Sequence, residues 1–156
     1  IDACLVGSEM CIRDRSIGDG HSVASAIALG ADFAYLGTRF IATEEANAEP
    51  EYKKMLEESA AKDIVYSSLF TGVLGNYLKP SIENAGMDPE NLPDADKNSM
   101  NFGSGGNTDS KAWKDIWGSG QGIGGIKDSP TVSELVGRLK KEYEEAFNEF
   151  KSKMGA

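Results

Sequence analysis

Ser16-Ile-Gly-Asp-Gly-His-Ser-Val-Ala-Ser-Ala-Ile-Ala-Leu-Gly-Ala-Asp-Phe-Ala-Tyr-Leu-Gly-Thr38 is the stretch on which the fold turns. Ser16 to Gly20 reads as a turn, because two glycines relax the backbone and Asp19 is suited to cap a helix. His21 to Leu29 then reads as a short helix, with Val23, Ala26 and Ile27 inward and Gly30 as its stop. Phe33-Ala-Tyr-Leu36 is apolar without polar alternation, which predicts a strand covered on both faces, as in a parallel sheet. Gly37-Thr38 closes it. Loop, helix, strand and glycine turn in that order make half of a βαβ unit.

Downstream, Glu49-Pro50 opens a second predicted helix reaching about Ala61, with Tyr52, Met55, Leu56 and Ser59 on one face. Asp63-Ile-Val-Tyr66 reads as extended. Pro80 begins a short helix through Ile82 and Ala85 that Gly86 stops. Met87 to Asn107 has the composition of a long surface loop, and Lys111 to Trp117 that of a helical turn or two. Thr131-Val-Ser-Glu134 matches a capping box. From it a last helix is expected to run to about Lys153, with Val132, Leu135, Val136, Leu139, Tyr143, Ala146, Phe147 and Phe150 at helical spacing.

Upstream, Leu5-Val-Gly-Ser-Glu-Met-Cys-Ile-Arg-Asp-Arg15 back-translates codon by codon to CTC GTG GGC TCG GAG ATG TGT ATA AGA GAC AGR, a transposon-end adapter used for sequencing libraries. Residues 1–15 are therefore expected to be non-native, with residues 16–156 making up a single domain. Cys4 and Cys11 fall in the excluded segment and carry no redox argument.

The 156 residues carry 16 Lys and Arg against 25 Asp and Glu, a net charge of −9. Such a field repels nucleic acid and anionic membrane surfaces, so neither is expected as a partner. No apolar run approaches the roughly 18 residues of a membrane span. No leader peptide is legible, and a cytoplasmic location is expected.

Two constellations point to chemistry. Ser16-Ile-Gly18 and Gly37-Thr38 each sit where a strand hands over to a loop. In a barrel of parallel strands such ends face the active site and often hold a phosphate. Backbone N–H groups at glycine turns favour an anion, and Thr38 adds a hydroxyl. Other motifs fail on inspection. His21 lies in a first helical turn and reads as a solvated residue. Gly120-Gln-Gly122-Ile-Gly124-Gly125 lacks the preceding strand and following helix of a dinucleotide fingerprint, and reads as a connector. Asp94-Ala-Asp96-Lys-Asn98 starts like a calcium loop, but Ser99 and Gly105 stand where glycine and glutamate are required, so no metal is expected. Trp113 and Trp117 read as core. Glu44-Glu45 and Glu57-Glu58 read as helix-start or solvated charges.

The stretch from Ile17-Gly-Asp-Gly20 through Ala24-Ser-Ala-Ile-Ala-Leu-Gly-Ala-Asp-Phe-Ala-Tyr-Leu-Gly-Thr-Arg-Phe-Ile-Ala-Thr-Glu-Glu45 resembles the nitronate monooxygenase family. Asp63-Ile-Val-Tyr66, Phe70-Thr-Gly72 and Ala112-Trp-Lys-Asp-Ile-Trp-Gly-Ser-Gly-Gln-Gly122 agree with it. The resemblance implies an α/β fold, the C-terminal fragment of an FMN-binding (β/α)8 TIM barrel with a C-terminal helical extension. It implies oxidation of alkyl nitronates by O2 to a carbonyl compound and nitrite, with a small-molecule substrate and O2 as partners. The alternative it leaves open is an NAD(P)H-dependent flavin reductase acting on quinones or enoyl thioesters. By position, Ser16, Ile17 and Gly18 fall on the family's first phosphate loop, Gly37 and Thr38 on its second, and Gln121 with Gly122 on a segment near the flavin. The family has Gly-Gly where this chain has Arg15-Ser16. Its catalytic histidine, and most of the flavin-ring pocket, correspond to sequence upstream of this match. No residue here is assigned a catalytic role, and the chain by itself is expected to be inactive.

Overall fold

The computed structural model describes residues 12–14, 16–70, 74–93 and 115–155. The cysteines, Arg15, Thr71-Gly72, Trp113 and the calcium-like segment lie outside them.

The predicted unit around Ser16–Thr38 is present. Helix α1 spans Gly20–Ala28 and strand β2 Phe33–Tyr35. Asp19 is the N-cap: its carboxylate accepts from the Ser22 N–H at 2.7 Å, and the Ser22 hydroxyl accepts from the Asp19 N–H at 3.2 Å. The helix stops where Gly30 takes φ +93°, the left-handed backbone open to glycine. Strand β1, Ile12–Asp14, runs parallel to β2 with Ile12 opposite Phe33 and Asp14 opposite Tyr35. This pairing completes the βαβ unit. It draws on residues whose sequence was set aside, which backbone pairing permits because the ladder is made by peptide groups.

Burial of β2 departs from expectation. Ala34 and Leu36 pack with Val23 against a core of Ile17, Ala26 and Ala31. The other face is bare, with Phe33 55% and Tyr35 63% exposed. An uninterrupted apolar strand needs cover on both faces, and among the described residues α1 covers one.

After β2 comes a short helix that periodicity did not announce, α2 at Thr38–Ile41. Helix α3 spans Pro50–Glu58, with Leu56 fully buried, and ends short of Ala61 where a 3-10 turn at Ala61–Asp63 takes over. Strands β3, Ile64–Ser67, and β4, Gly75–Leu78, form an antiparallel pair with Ile64 opposite Leu78. Helix α4, Lys79–Asn84, carries Pro80 in its first turn, and Gly86 follows at φ +82°. The strands among the described residues form two two-stranded sheets and close no barrel. The architecture is mixed α/β.

The main core joins these parts. Ala42, Leu56, Leu78, Ile123 and Ile126 are buried together, with Trp117 packed against them. Trp117 stacks on Tyr52 at 5.0 Å between ring centroids. Burial pushes the Tyr52 phenol up to about 12, so it stays a donor, and its hydroxyl donates to the Gly118 carbonyl. A 3-10 turn over Gln121–Gly125 presents Ile123 to this core.

Helix α5, Val132–Met154, opens on the predicted box: Thr131 Oγ1 accepts from the Glu134 N–H at 3.3 Å, and the Glu134 carboxylate accepts from the Thr131 N–H at 3.0 Å. Glu45 adds a second cap, accepting from the Val132 N–H at 2.9 and 3.0 Å. Helix α5 packs on α1, where Gly20 lets the two approach. A Cβ at Gly20 would lie 2.2 Å from the Leu139 carbonyl oxygen and 2.6 Å from the Tyr143 nitrogen. The Gly20 N–H donates to Glu142 Oε2 at 2.8 Å. Of the apolar positions expected on this helix, Leu135 is fully buried, whereas Val136 and Phe150 are exposed. The helix outruns α1, and its last turns stand exposed, with no further element packed against them among the described residues.

Candidate anion-binding site

The two turns meet. Ser16, Ile17 and Gly18 from the loop before α1, and Gly37 and Thr38 from the end of β2, line one cavity of about 130 Å³. Gly120, Gly122, Tyr35, Arg39 and Ile126 complete its lining. Two physical facts bring the turns together. The parallel β1–β2 pair puts both strand ends at the same edge, and the 3-10 turn of Gln121–Gly125 bridges them from below.

The bridge is built from glycines in close approach. A Cβ at Gly122 would lie 3.0 Å from the carbonyl of Ser16, and one at Gly18 would lie 3.2 Å from the Gly122 oxygen. The Gly120 N–H donates to Thr38 Oγ1 at 2.8 Å, which orients that hydroxyl and leaves its own proton to donate. Side chains at Gly18 and Gly122 would crowd the backbone that brings the two turns together.

Ser16 departs from ordinary backbone. Its φ is +58°, the left-handed region that costs a residue with a side chain roughly 1–2 kcal/mol relative to a right-handed backbone. Together with the Gly122 contact, this makes the first turn a glycine-like conformation occupied by serine.

Among the described residues no carboxylate lines the cavity, and Arg39 is the one charged residue that does. Arg39 is 3% exposed. It donates to the Ala42 and Asp128 carbonyls, each at 3.1 Å, and pairs with the Asp128 carboxylate at 2.8 Å. Asp128 also accepts from Arg138 of α5 at 2.6 Å. Burial draws the Arg39 guanidinium down, and the Asp128 charge works against that. Arg138, then Arg39, hold the Asp128 carboxyl below its usual range. Both arginines stay charged at neutral pH, because a guanidinium titrates far above it. The network ties α2 to α5 and fixes the second turn. An isolated cation in the apolar run Thr38-Arg-Phe-Ile41 was the sequence signal for a buried ion pair, and its use here was not foreseen.

Asp19, next to Gly18, does not oppose an anion directly, because its carboxylate is turned to α1. Burial raises its pKa, but hydrogen bonds from the Ser22 hydroxyl and N–H outweigh that and hold it below the ordinary value. Gln121 stands exposed in the 3-10 turn and is not among the lining residues, although the glycines on either side of it are. His21 is exposed in the first turn of α1, away from the lining. Among the described residues no cluster of His, Cys, Asp and Glu is arranged to hold a metal ion. No helix among them is long and apolar enough to cross a membrane.

A nitronate monooxygenase from Paraburkholderia phytofirmans is 29% identical over 145 residues, covering 90% of this chain and 39% of that protein. A probable nitronate monooxygenase from Bacillus subtilis is 27% identical over 129 residues, covering 80% of this chain and 37% of that protein. The chain thus spans less than half the length of these relatives. In three dimensions it superposes on FabK from Thermotoga maritima, in a point variant, with a TM-score of 0.67 at 21% identity, covering 94% of this chain and 45% of the other. Nitroalkane oxidase from Streptomyces ansochromogenes superposes with a TM-score of 0.64 at 20% identity, covering 92% and 42%. At such identities the superpositions speak to fold. The family model for nitronate monooxygenase matches residues 16–142, and the chain belongs to that family.

Proposed function

We propose that the cavity between Ile17 and Gly37 holds the phosphate of FMN, and that the chain is the C-terminal part of a (β/α)8-barrel enzyme that oxidises alkyl nitronates with O2. The observation that carries this reading is the meeting of the two turns on one small cavity, lined by no carboxylate among the described residues. Gly18, Gly37, Gly120 and Gly122 keep side chains out of it, and the Thr38 hydroxyl is a neutral donor at its wall. These residues fit a phosphate, whose charge is best met by backbone N–H groups and hydroxyls where space is too tight for a cation. Bound flavin would supply the electron transfer from nitronate to O2. This chain's residues hold and orient the phosphate end, and Gln121 faces solvent where the ligand would continue.

Residues 16–142 match the family while residues 1–15 stand outside the match, in keeping with a non-native leading segment. The reading also implies a cytoplasmic enzyme with a small-molecule substrate.

The test is made on the gene extended upstream. Nitrite release from propyl nitronate with O2 uptake is the expected result. NADH oxidation coupled to quinone, without nitrite release, would instead place the protein with the flavin reductases.

A further inference from the structure

We propose that Arg138 and Glu142, on one face of α5, are positioning residues for the anion cavity. Glu142 holds the turn at Ile17–Gly18, and Arg138 holds the turn at Gly37–Thr38 through Asp128 and Arg39. One helix thereby sets the spacing of both turns, although neither residue lines the cavity. The proposal rests on the phosphate reading above and adds what keeps the two halves of that site in register.

Residues four apart on a helix share a face. Arg138 and Glu142 do so, and each reaches a different turn. Glu142 Oε2 accepts from the Gly20 N–H at 2.8 Å, just beyond Gly18. Arg138 donates from Nη1 and Nη2 to the two oxygens of Asp128, at 3.0 and 2.6 Å. Asp128 Oδ1 also accepts from Arg39 Nη2 at 2.8 Å, and Arg39 lines the cavity directly after Thr38. The contact of α5 with the first turn has no slack. The place of a Cβ at Gly20 is already taken by the Leu139 oxygen, the Glu142 Cβ and the Tyr143 nitrogen, so a shift of α5 is passed to that turn. Leu135, 1% exposed, anchors the same face of α5. The Gln121–Gly125 bridge joins the turns by backbone contacts, and α5 joins them a second time by side chains. Charge separates placement from direct attraction. Glu142 repels an anion and Arg138 attracts one, so direct electrostatics gives their removal opposite signs. A positioning role gives both the same sign. The Arg138–Asp128 pair is partly exposed, and such pairs add little to global stability, so placement and stability are read apart.

The experiment is an amide NMR titration of the 156-residue chain with inorganic phosphate, in the wild type, Glu142→Ala, Glu142→Gln and Arg138→Lys. Phosphate is expected to shift the Gly18 and Gly37 amides in the wild type. Glu142→Ala loses an acceptor and a negative charge, and affinity is nonetheless expected to fall about three- to ten-fold, the range for a coupled residue that does not touch the ligand. Glu142→Gln loses the same charge but keeps an acceptor for Gly20, and is expected to bind at least as tightly as the wild type. Arg138→Lys keeps the charge but not the two-pronged grip, and affinity should again fall. Without phosphate, amide exchange should quicken at Gly18 in Glu142→Ala and at Gly120 in Arg138→Lys. Unchanged or tighter phosphate binding in Glu142→Ala, an equal loss in Glu142→Gln, or unchanged binding in Arg138→Lys overturns the positioning role and leaves the anion site standing. Failure of phosphate to move the Gly18 and Gly37 amides in the wild type overturns the site, and this proposal with it. Unchanged amide shifts in β3 and β4 verify that the variants are folded. Should Glu142→Ala unfold the chain, the Arg138→Lys result decides.

Discussion

The two faces of strand β2 differ sharply. On one, Ala34 and Leu36 meet Ile17, Val23 and Ala26, and behind them α1 lies close against α5. On the other, Phe33 and Tyr35 stand in water. The same backbone thus carries a finished interface and an open one. The difference teaches that the apolar content of β2 suits two-sided cover, of which the described residues supply half. It also explains how the anion cavity can be assembled while the surface beyond it is bare. The cavity is made by turns at a strand end and needs the finished side only.

The comparison breaks most directly at Gly20. In Gly20→Ala the new methyl would meet the backbone of α5 at Leu139 and Tyr143, so the helix must move. A loss of about 3 kcal/mol in urea-unfolding free energy is expected, the upper range for overpacking. Phe33→Ser, on the open face, should change it by less than about 0.5 kcal/mol. Equal losses would show that the bare face is covered in solution.

A smaller effect is expected at Arg39. Arg39→Met removes the donor to the Ala42 and Asp128 carbonyls and leaves those acceptors short. Asp128 keeps Arg138 and is partly exposed, so the cost should be about 2 kcal/mol, below that of a fully buried broken pair. The same variant should loosen the second turn, read as faster amide exchange at Thr38 and Gly120 than at Ser22. Unchanged exchange there would mean the network does not position the turn.

Ser16→Gly sharpens the comparison by relaxing the first turn. Removing the side chain at φ +58° should stabilise the chain by about 1 kcal/mol, the αL penalty less the entropy glycine adds to the unfolded state. A destabilised Ser16→Gly protein would show that serine makes a compensating contact.

The least effect is expected from acid. Asp19 and Asp128 are both held below their ordinary values. Their contribution is therefore complete above the unfolded-state pKa of about 4 and is lost as pH falls through the lower folded values. Stability measured from pH 5 down to pH 2 should decline, and Asp19→Asn, which retains a cap acceptor, should flatten part of that slope. A slope identical to wild type would count against the Asp19 capping bond.

Local elements were legible where a short-range cause fixes them. Asp19 caps α1, Thr131 and Glu134 cap α5, Pro50 and Pro80 open helices, and Gly30 and Gly86 close them. Each is a matter of a few adjacent dihedrals and one or two hydrogen bonds. Strand β4 was missed because Gly75-Asn-Tyr-Leu78 carries little strand propensity; its cause is its partner β3. Of the candidate site residues, Ser16, Ile17, Gly18, Gly37 and Thr38 converge, whereas Gln121 faces solvent between the glycines that take part.

What the amino-acid order determined alone was the succession of turn, helix, strand and glycine turn, and the family to which it points. Propensity, capping and resemblance act along the chain. The tertiary structure alone decided that Gly122 would press on Ser16, that Gly120 would hold the Thr38 hydroxyl, and that Asp128 would bind two arginines from different helices. It also decided which face of β2 stays bare. The Gly122–Ser16, Gly120–Thr38 and Asp128–Arg39 contacts join residues more than eighty positions apart, and such pairs are set by packing in three dimensions, where no local periodicity records them.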